Sequence, residues 1–140
     1  MRKRILTGMV LLLVVAVVFL TARWCFGNTA FVQRQIGESE RFSREEIQDA
    51  MDMVENTFAR KFSGCTLLQL TYDDSYSEKY APEWAENYEA QEALVLLSSF
   101  TTGPSSVAGG FTPNDLYTRW QWILTRSDGG AWELRTWGYG

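Results

Sequence analysis

The sequence lacks the side chain that most often moves protons in enzymes, because none of its 140 residues is histidine. A chain without histidine cannot form a Ser-His-Asp triad, a Cys-His pair or a histidine-liganded zinc or haem site. The phosphate-binding glycine motifs, C-x-x-C and S-x-x-K are absent as well. We therefore predict that the protein is not an enzyme and that it carries no cofactor.

Oxygen-bearing side chains cluster after one predicted strand, at Asp73, Asp74, Ser75, Ser77 and Glu78. Such oxygens could hold a hard cation. Their spacing does not match an EF-hand loop, which needs D-x-[DN]-x-[DN]-G and a later glutamate. We predict no metal site.

Aromatic residues are the stronger candidates for recognition. Trp120 and Trp122 alternate along one predicted strand and so share a face. Trp84 and Tyr88 lie one helical turn apart in a predicted short helix. These four residues could line a pocket for an apolar ligand, a sugar or a peptide. The competing interpretation is that they pack in the core, the more common role of buried rings.

The C-terminal strand carries a second candidate surface. Alternation places Trp137 on one face with Arg135 and Tyr139. An arginine beside two rings could bind a partner protein, although aromatic residues at a strand end are more often structural. Arg135, Trp137 and Tyr139 are therefore predicted as a partner surface.

An uncharged apolar run from Ile5 to Ala22 follows Arg2, Lys3 and Arg4. As a helix it would be about 27 Å long, close to the ~30 Å hydrocarbon core of a bilayer. The basic cluster predicts that residues 1–4 stay in the cytoplasm and that the chain beyond the span is extracytoplasmic. A cleaved signal peptide and a secreted protein form the alternative, which Leu20 disfavours because an A-x-A-like cleavage site needs a small residue there.

The charge balance beyond the span excludes one class of partner. Removing Arg2, Lys3 and Arg4 from the 13 basic residues leaves 10 against 17 acidic residues, a net charge of −7. Nucleic-acid binding generally needs a basic face, so we predict no nucleic-acid partner.

Cys25 and Cys65 would both lie outside, where oxidation is allowed. We expect Cys65 to be a buried free thiol rather than the partner of Cys25.

Residues 23–41 show no clear periodicity and are predicted as a juxtamembrane linker, so the folded domain would span residues 42–140. Its first helix has a capping box formed by Ser43 and Glu46, and Gly64 suits its end. A strand at Cys65–Tyr72 and a short helix at 82–90, opened by Pro82, follow.

The remaining elements are β-strands. Residues 92–101 are very hydrophobic and predict a central strand, whereas the Gly- and Pro-rich segment 102–115 predicts a loop without helix or strand. Strands at 116–126 and 131–137 are joined by a Ser-Asp-Gly-Gly turn. The element order predicts an α+β fold in which a long and a short helix pack on one face of a curved, cone-like antiparallel sheet of about four strands.

Three segments carry a family resemblance: residues 43–73, the LVLLSSF strand at 94–100, and the WQWILTR and AWELRTWGYG strands at the C-terminus. Together they resemble small uncharacterised bacterial proteins, secreted or membrane-anchored and found mainly in Gram-positive bacteria. Those proteins are similar to the nuclear-transport-factor-2-like, or cystatin-like, superfamily. The resemblance implies a cone-shaped domain and an envelope location but no activity.

Two functions follow as expectations. The domain could be a non-catalytic interaction or assembly module that forms a homodimer or joins an envelope protein. It could instead bind a small molecule or peptide in an aromatic cavity. A core plugged by Phe58, Phe62 or the Gly/Pro-rich loop would favour the first function, and an open apolar cavity would favour the second.

Overall fold

A computed structural model describes residues 1–139, apart from the side chains of residues 22–25. The chain begins with an apolar helix, α1 (Arg2–Cys25), in which the stretch Arg2–Thr21 has a mean hydropathy of 2.5 and buries none of its surface. This helix is long and apolar enough to cross a membrane, and its N-terminal position also fits a signal sequence. Cys65 is buried as a free thiol, as expected, and the side chain of Cys25 lies outside the described part of the chain.

An α+β domain follows α1. Its elements in chain order are β1 (Gln33–Ile36), α2 (Arg44–Lys61), β2 (Cys65–Tyr72), α3 (Asp74–Asn87), β3 (Glu92–Thr102), a 3-10 helix (Pro104–Gly109), β4 (Leu116–Arg126) and β5 (Glu133–Gly138).

The five strands form one mixed sheet in the order β1-β2-β3-β4-β5. β1 pairs with β2 in parallel, and every other neighbouring pair is antiparallel. The sheet is therefore neither purely antiparallel nor limited to about four strands. The difference comes from β1, a four-residue edge strand that α2 joins to β2 as a parallel crossover.

The segment predicted as a linker forms the edge of this sheet. Gly27 N donates to the carbonyl of Ala59 at 2.9 Å, and Asn28 N donates to that of Cys65 at 2.9 Å. Farther along, Arg34 in β1 forms ion pairs with Asp52 at 2.5 Å and Glu55 at 2.7 Å on α2. The domain thus starts at Gly27, with Phe26 as the single residue between it and the end of α1.

Helix α2 begins as the sequence predicts. Ser43 is the N-cap, its Oγ accepts from Glu46 N at 3.2 Å, and Glu46 Oε2 accepts from Ser43 N at 2.6 Å. The turn after the helix contains Gly64 at φ +74°, a left-handed conformation that favours glycine.

The two helices cover opposite faces of the sheet, in contrast to the predicted packing on one face. The α2 face includes Leu94, Leu96 and Trp122, and the α3 face includes Val95 and Ile123. Because β3 is buried at nearly every position, both of its faces need a cover. A sequence run that is apolar throughout does not alternate and so does not show which helix lies on which side.

Helix α3 starts eight residues before the predicted Pro82, because Asp73 provides an N-cap: its Oδ1 accepts from Tyr76 N at 2.9 Å. Pro82 lies inside the helix with its ring exposed to solvent. The loop predicted to lack helix contains the 3-10 helix, whose Ser106 Oγ donates to the carbonyl of Gly103 at 2.6 Å.

Candidate functional site

The α2 face of the sheet is filled by aromatic rings. Phe62 is buried at the end of α2, with ring centroids 4.7 Å from Phe58, 5.2 Å from Trp122 and 5.2 Å from Phe111. Phe111 comes from the Gly/Pro-rich loop. Phe58, Phe62 and Phe111 therefore fill the end of the core. This packing is the one expected of an interaction module and not of a domain with an open ligand cavity.

Trp122, a predicted ligand-binding residue, is fully buried on this face. Its Nε1 donates to Ser98 Oγ at 2.8 Å, and its ring lies 5.6 Å from that of Trp137. Trp120 is half-buried among Phe62, Phe100 and Phe111, and its buried Nε1 has no hydrogen-bond partner among the described residues. Both tryptophans pack in the core instead of lining an open pocket.

A β-bulge in β4 changes which side chains reach the α3 face. The pairing with β3 shifts between Ser98 and Phe100, and Arg119 in the bulge adopts φ +55°. A left-handed conformation costs a non-glycine residue about 1–2 kcal/mol, and bulges often redirect side chains at functional sites. Arg119 faces α3, as its alternation with Gln121 and Ile123 requires, and the extra residue in the bulge moves Tyr117 to the aromatic core on the other side.

An open groove of about 640 Å³ lies on the α3 face, between α3, strand β4 and the residue that follows β5. Three of its rings come from consecutive turns of α3, and a fourth comes from the residue after β5. Its lining residues are Tyr76, Tyr80, Glu83, Trp84, Thr118, Arg119, Gln121 and Tyr139. We call this surface the aromatic groove.

Polar contacts hold the wall of the aromatic groove in place. Gln121 Nε2 donates to the hydroxyl of Tyr76 at 2.8 Å, and the Arg119 guanidinium lies 5.3 Å from the centre of the Tyr76 ring. Lys79 Nζ lies 5.0 Å from the centre of the Tyr80 ring. Neither Arg119 nor Lys79 forms an ion pair with a described residue. Each cation is therefore available to a carboxylate from outside.

The predicted residue Tyr88 lies next to the groove. Its ring centroid is 6.1 Å from that of Trp84, and the Arg135 guanidinium lies 5.5 Å from its ring centre. Arg135 also forms an ion pair with Glu133 at 2.6 Å and donates to Thr125 Oγ1 at 2.8 Å. This arginine is thus already paired.

The predicted partner surface is divided between the two faces. A second bulge, between Ile123 and Leu124 in their pairing with β5, breaks the alternation that placed Arg135 with Trp137. Trp137 packs in the core on the α2 face, 6.0 Å from Phe62, whereas Arg135 faces α3. Tyr139 is exposed, lies 5.2 Å from Trp120 and lines the aromatic groove.

Burial keeps the thiol of Cys65 and the hydroxyl of Tyr72 protonated. Burial raises the pKa of Cys65 to about 11, so the thiol stays protonated and is a poor nucleophile at neutral pH. Burial also raises the pKa of Tyr72 to about 12, and its hydroxyl donates to Asp74 Oδ1 at 2.7 Å. Among the described residues, no three carboxylate or cysteine side chains converge as a metal site.

A second depression of about 660 Å³ lies where the loop before α2 meets the start of α3. It is lined mainly by polar loop residues, including Glu38, Glu40 and Asp74. The depression also contains Arg44, which forms no ion pair with a described residue, but its single ring, Phe42, is buried. Because the depression offers no exposed ring beside that cation, the aromatic groove is the stronger candidate site.

Of the predicted candidates, the structure brings Trp84 and Tyr139 into the aromatic groove and places Tyr88 beside it. Sequence reasoning missed Arg119 and Gln121. The spacing of Tyr76, Tyr80, Trp84 and Tyr88 at four-residue intervals signalled the helix side of the groove. Strand alternation places Arg119 and Gln121 together on the face opposite Trp122, but no sequence signal showed that α3 covers that face.

The chain matches no protein-family model, no curated protein and no solved structure.

Proposed function

We propose that the protein is a membrane-anchored, non-catalytic interaction module that binds an acidic, extended segment of another envelope protein in the aromatic groove. Helix α1 is the anchor in this proposal, with its N-terminus in the cytoplasm and the domain outside. The resemblance to anchored proteins with a nuclear-transport-factor-2-like domain agrees with this location.

The observation that carries the proposal is the unpaired Arg119 guanidinium, presented in the groove from a strained backbone position. Arginine recognises carboxylates through directed, two-pronged hydrogen bonds. Strained backbone of this kind clusters at functional sites, and glycine would adopt the same conformation at no such cost.

The rings of the aromatic groove supply the apolar part of the site. Tyr80 and Trp84 are half-buried on α3, so each ring has one side packed and another open to solvent. Rigid aromatic side chains with a polar edge are typical of protein interfaces. An open groove also suits a chain segment better than a small molecule, which usually needs to be largely enclosed.

Site-specific photo-crosslinking in living cells tests this function. A photoreactive phenylalanine analogue replaces Tyr80 in the groove of the full-length chain, and the same analogue replaces the exposed Asn56 on α2 as the control. The proposal predicts a discrete crosslinked protein from position 80 and none from position 56. Adding Arg119→Glu should reduce the crosslink at least tenfold, since the substituted carboxylate repels an acidic partner.

Two outcomes contradict the proposal. One is an adduct from position 80 that survives Arg119→Glu unchanged. The other is an adduct that consists of two copies of this chain, which co-expression of two differently tagged forms detects.

A further inference from the structure

Large apolar side chains are exposed at the end of the domain from which α1 emerges. Phe26, Phe31, Val107 and Leu116 have exposed fractions of 55, 84, 59 and 54%, respectively. We call these four residues the anchor-side rim. Single exposed apolar residues are common on proteins, but these four lie at one end of the domain.

Backbone pairing places Phe26 and Phe31 at this end. Phe26 directly precedes Gly27, whose N–H is bonded to the end of α2. Phe31 lies in the turn between Asn28, which bridges to Thr66 in the first half of β2, and the start of β1. Both residues therefore flank the junction between α1 and the domain.

Val107 and Leu116 reach the same end from the other side of the sheet. Gly103 N, just before the 3-10 helix, donates to the carbonyl of Gly64 at 2.8 Å, which holds that helix against the start of β2. Leu116 pairs with Thr101 near the end of β3. The 3-10 helix presents Val107 from a fixed position because its Ser106 is fully buried.

The chain leaves little distance between this end and a bilayer. Counted from Ile5, a helix needs about 20 residues to cross a ~30 Å core, which brings the boundary to residue 24. Phe26 is the single residue between the end of α1 and Gly27. At ~3.8 Å per residue, Gly27 lies within about 10 Å of the hydrocarbon. That is roughly the depth of the headgroup layer.

The charge at this end also suits a lipid surface. Helix α2 ends in Arg60 and Lys61, both exposed and adjacent to the Ala59 carbonyl that binds Gly27. The domain as a whole is acidic, so basic residues at this end are placed to meet lipid phosphates while the rest of the surface is repelled.

We propose that the anchor-side rim rests on the outer surface of the bilayer that α1 spans, with its four apolar side chains at the boundary between headgroups and acyl chains. This inference rests on the proposed retention of α1 as an anchor. The contact fixes the orientation of the domain on the bilayer.

Spin-label depth measurements test the contact. The full-length chain carries Cys25→Ser and is reconstituted into vesicles of phosphatidylcholine and phosphatidylglycerol; the buried Cys65 stays unlabelled. Labels are placed in separate samples at Val107→Cys and Phe31→Cys on the rim. Asp128→Cys in the β4–β5 turn is the aqueous control, and Leu12→Cys in α1 is the hydrocarbon control. Accessibility to oxygen and to a water-soluble nickel chelate reports depth.

The proposal predicts that the nickel chelate reaches the rim labels at least fivefold less than it reaches position 128, and that oxygen reaches position 12 best. Rim labels as accessible as position 128, with position 12 in hydrocarbon, overturn the rim contact and leave the anchor intact. Shielding that disappears when the protein is diluted in lipid also overturns it, because a second copy then covers the rim. A water-exposed position 12 overturns both the contact and the anchor.

The rim contact and the groove are separable. Val107→Asp should expose the label at Phe31→Cys to the chelate while the photo-crosslink from position 80 persists. If the crosslink from position 80 is lost while the rim labels stay shielded, the result contradicts the proposed function of the aromatic groove and leaves the rim contact intact.

Discussion

The two faces of the sheet use the same kind of side chain in opposite ways. On the α2 face, Phe58, Phe62 and Trp122 are buried against one another, and the ring faces are taken up by packing. On the α3 face, Tyr80 and Trp84 keep part of their rings in solvent, beside cations without ion-pair partners in the described chain. Aromatic content alone therefore does not identify a binding site.

The difference follows from the length and position of the covering helices. Helix α2 has 18 residues and runs from the end of the sheet that carries the β4–β5 turn to the end from which α1 emerges. It therefore covers the whole length of its face. Helix α3 has 14 residues and leaves β4 open near the bulge at Arg119. The sealed face supplies stability, and the open face supplies a surface for recognition.

Truncating a ring on each face gives the largest expected contrast. Phe62→Ala removes a buried ring that contacts several others and should lower the free energy of unfolding by about 3–5 kcal/mol. Trp84→Ala in the groove should lower it by about 1 kcal/mol or less. Urea unfolding of the full-length chain in detergent measures both variants. Equal losses would contradict the distinction between the two faces.

Adding one methyl group tests how tightly the sealed face is packed. A Cβ on Gly27 would lie 2.9 Å from Phe58 Cδ1 and closer still to the Phe58 carbonyl oxygen. Because that oxygen belongs to the backbone, Gly27→Ala should destabilise the protein by about 1–3 kcal/mol. Gly8→Ala is the matched control, since nothing lies within 4 Å of its added Cβ. A Gly27→Ala protein as stable as the control would refute the close junction between anchor and core.

The acid sensitivity of the sealed face centres on Glu46. The N–H of Ser43 and the guanidinium of Arg126 bond its two carboxylate oxygens, each at 2.6 Å, and hold its pKa below the usual 4.5. Since the folded pKa is below the unfolded one, the stabilisation is present above about pH 4.5 and is lost as the pH falls through the folded pKa.

Urea midpoints measured from about pH 6 down to about pH 3 should therefore decline, and Glu46→Gln should remove part of that decline. Glutamine keeps the capping geometry without a titrating carboxyl group. An identical decline in both proteins would show that Glu46 does not contribute.

The smallest expected effect is a gain in the free energy of unfolding instead of a loss. Arg119→Gly relieves the left-handed backbone and should stabilise the protein by about 0.5–1 kcal/mol, while the crosslink from position 80 disappears. Arg119→Ala retains the strained conformation and should lose the crosslink with no gain in stability. Stabilisation by both substitutions would point to a cause other than the backbone.

Elements with local signals could be predicted from the sequence. The capping box placed the start of α2, and the β-forming run Cys65–Tyr72 placed β2 at its observed bounds. β1 could not be predicted, because Gln33–Ile36 is short, polar and held by pairing with a strand far along the chain. Pro82 misplaced the start of α3, since a proline can lie inside a helix on its exposed side.

The candidate site was only half predictable for a similar reason. Four-residue spacing of rings gave the helix wall, which depends on local geometry. Alternation puts Arg119 and Gln121 of the strand wall on one face, but it does not show that α3 covers this face. The bulges at Arg119 and Arg135 have no sequence feature that marks them. One extra residue in each strand reverses the alternation beyond it, which is why Trp137 and Arg135 lie on different faces.

The most direct test of the account compares carboxyl labelling on the two sides of the domain. Glu83 lines the aromatic groove and Glu45 lies in the first turn of α2, and both are exposed in the chain alone. A water-soluble carbodiimide is applied to native membranes and to the purified full-length protein, and mass spectrometry measures modification of each residue. The account predicts that Glu83 is modified at least threefold less in native membranes while Glu45 is modified equally in both. Equal modification of Glu83 in the two preparations, or protection of Glu45 instead, would contradict it.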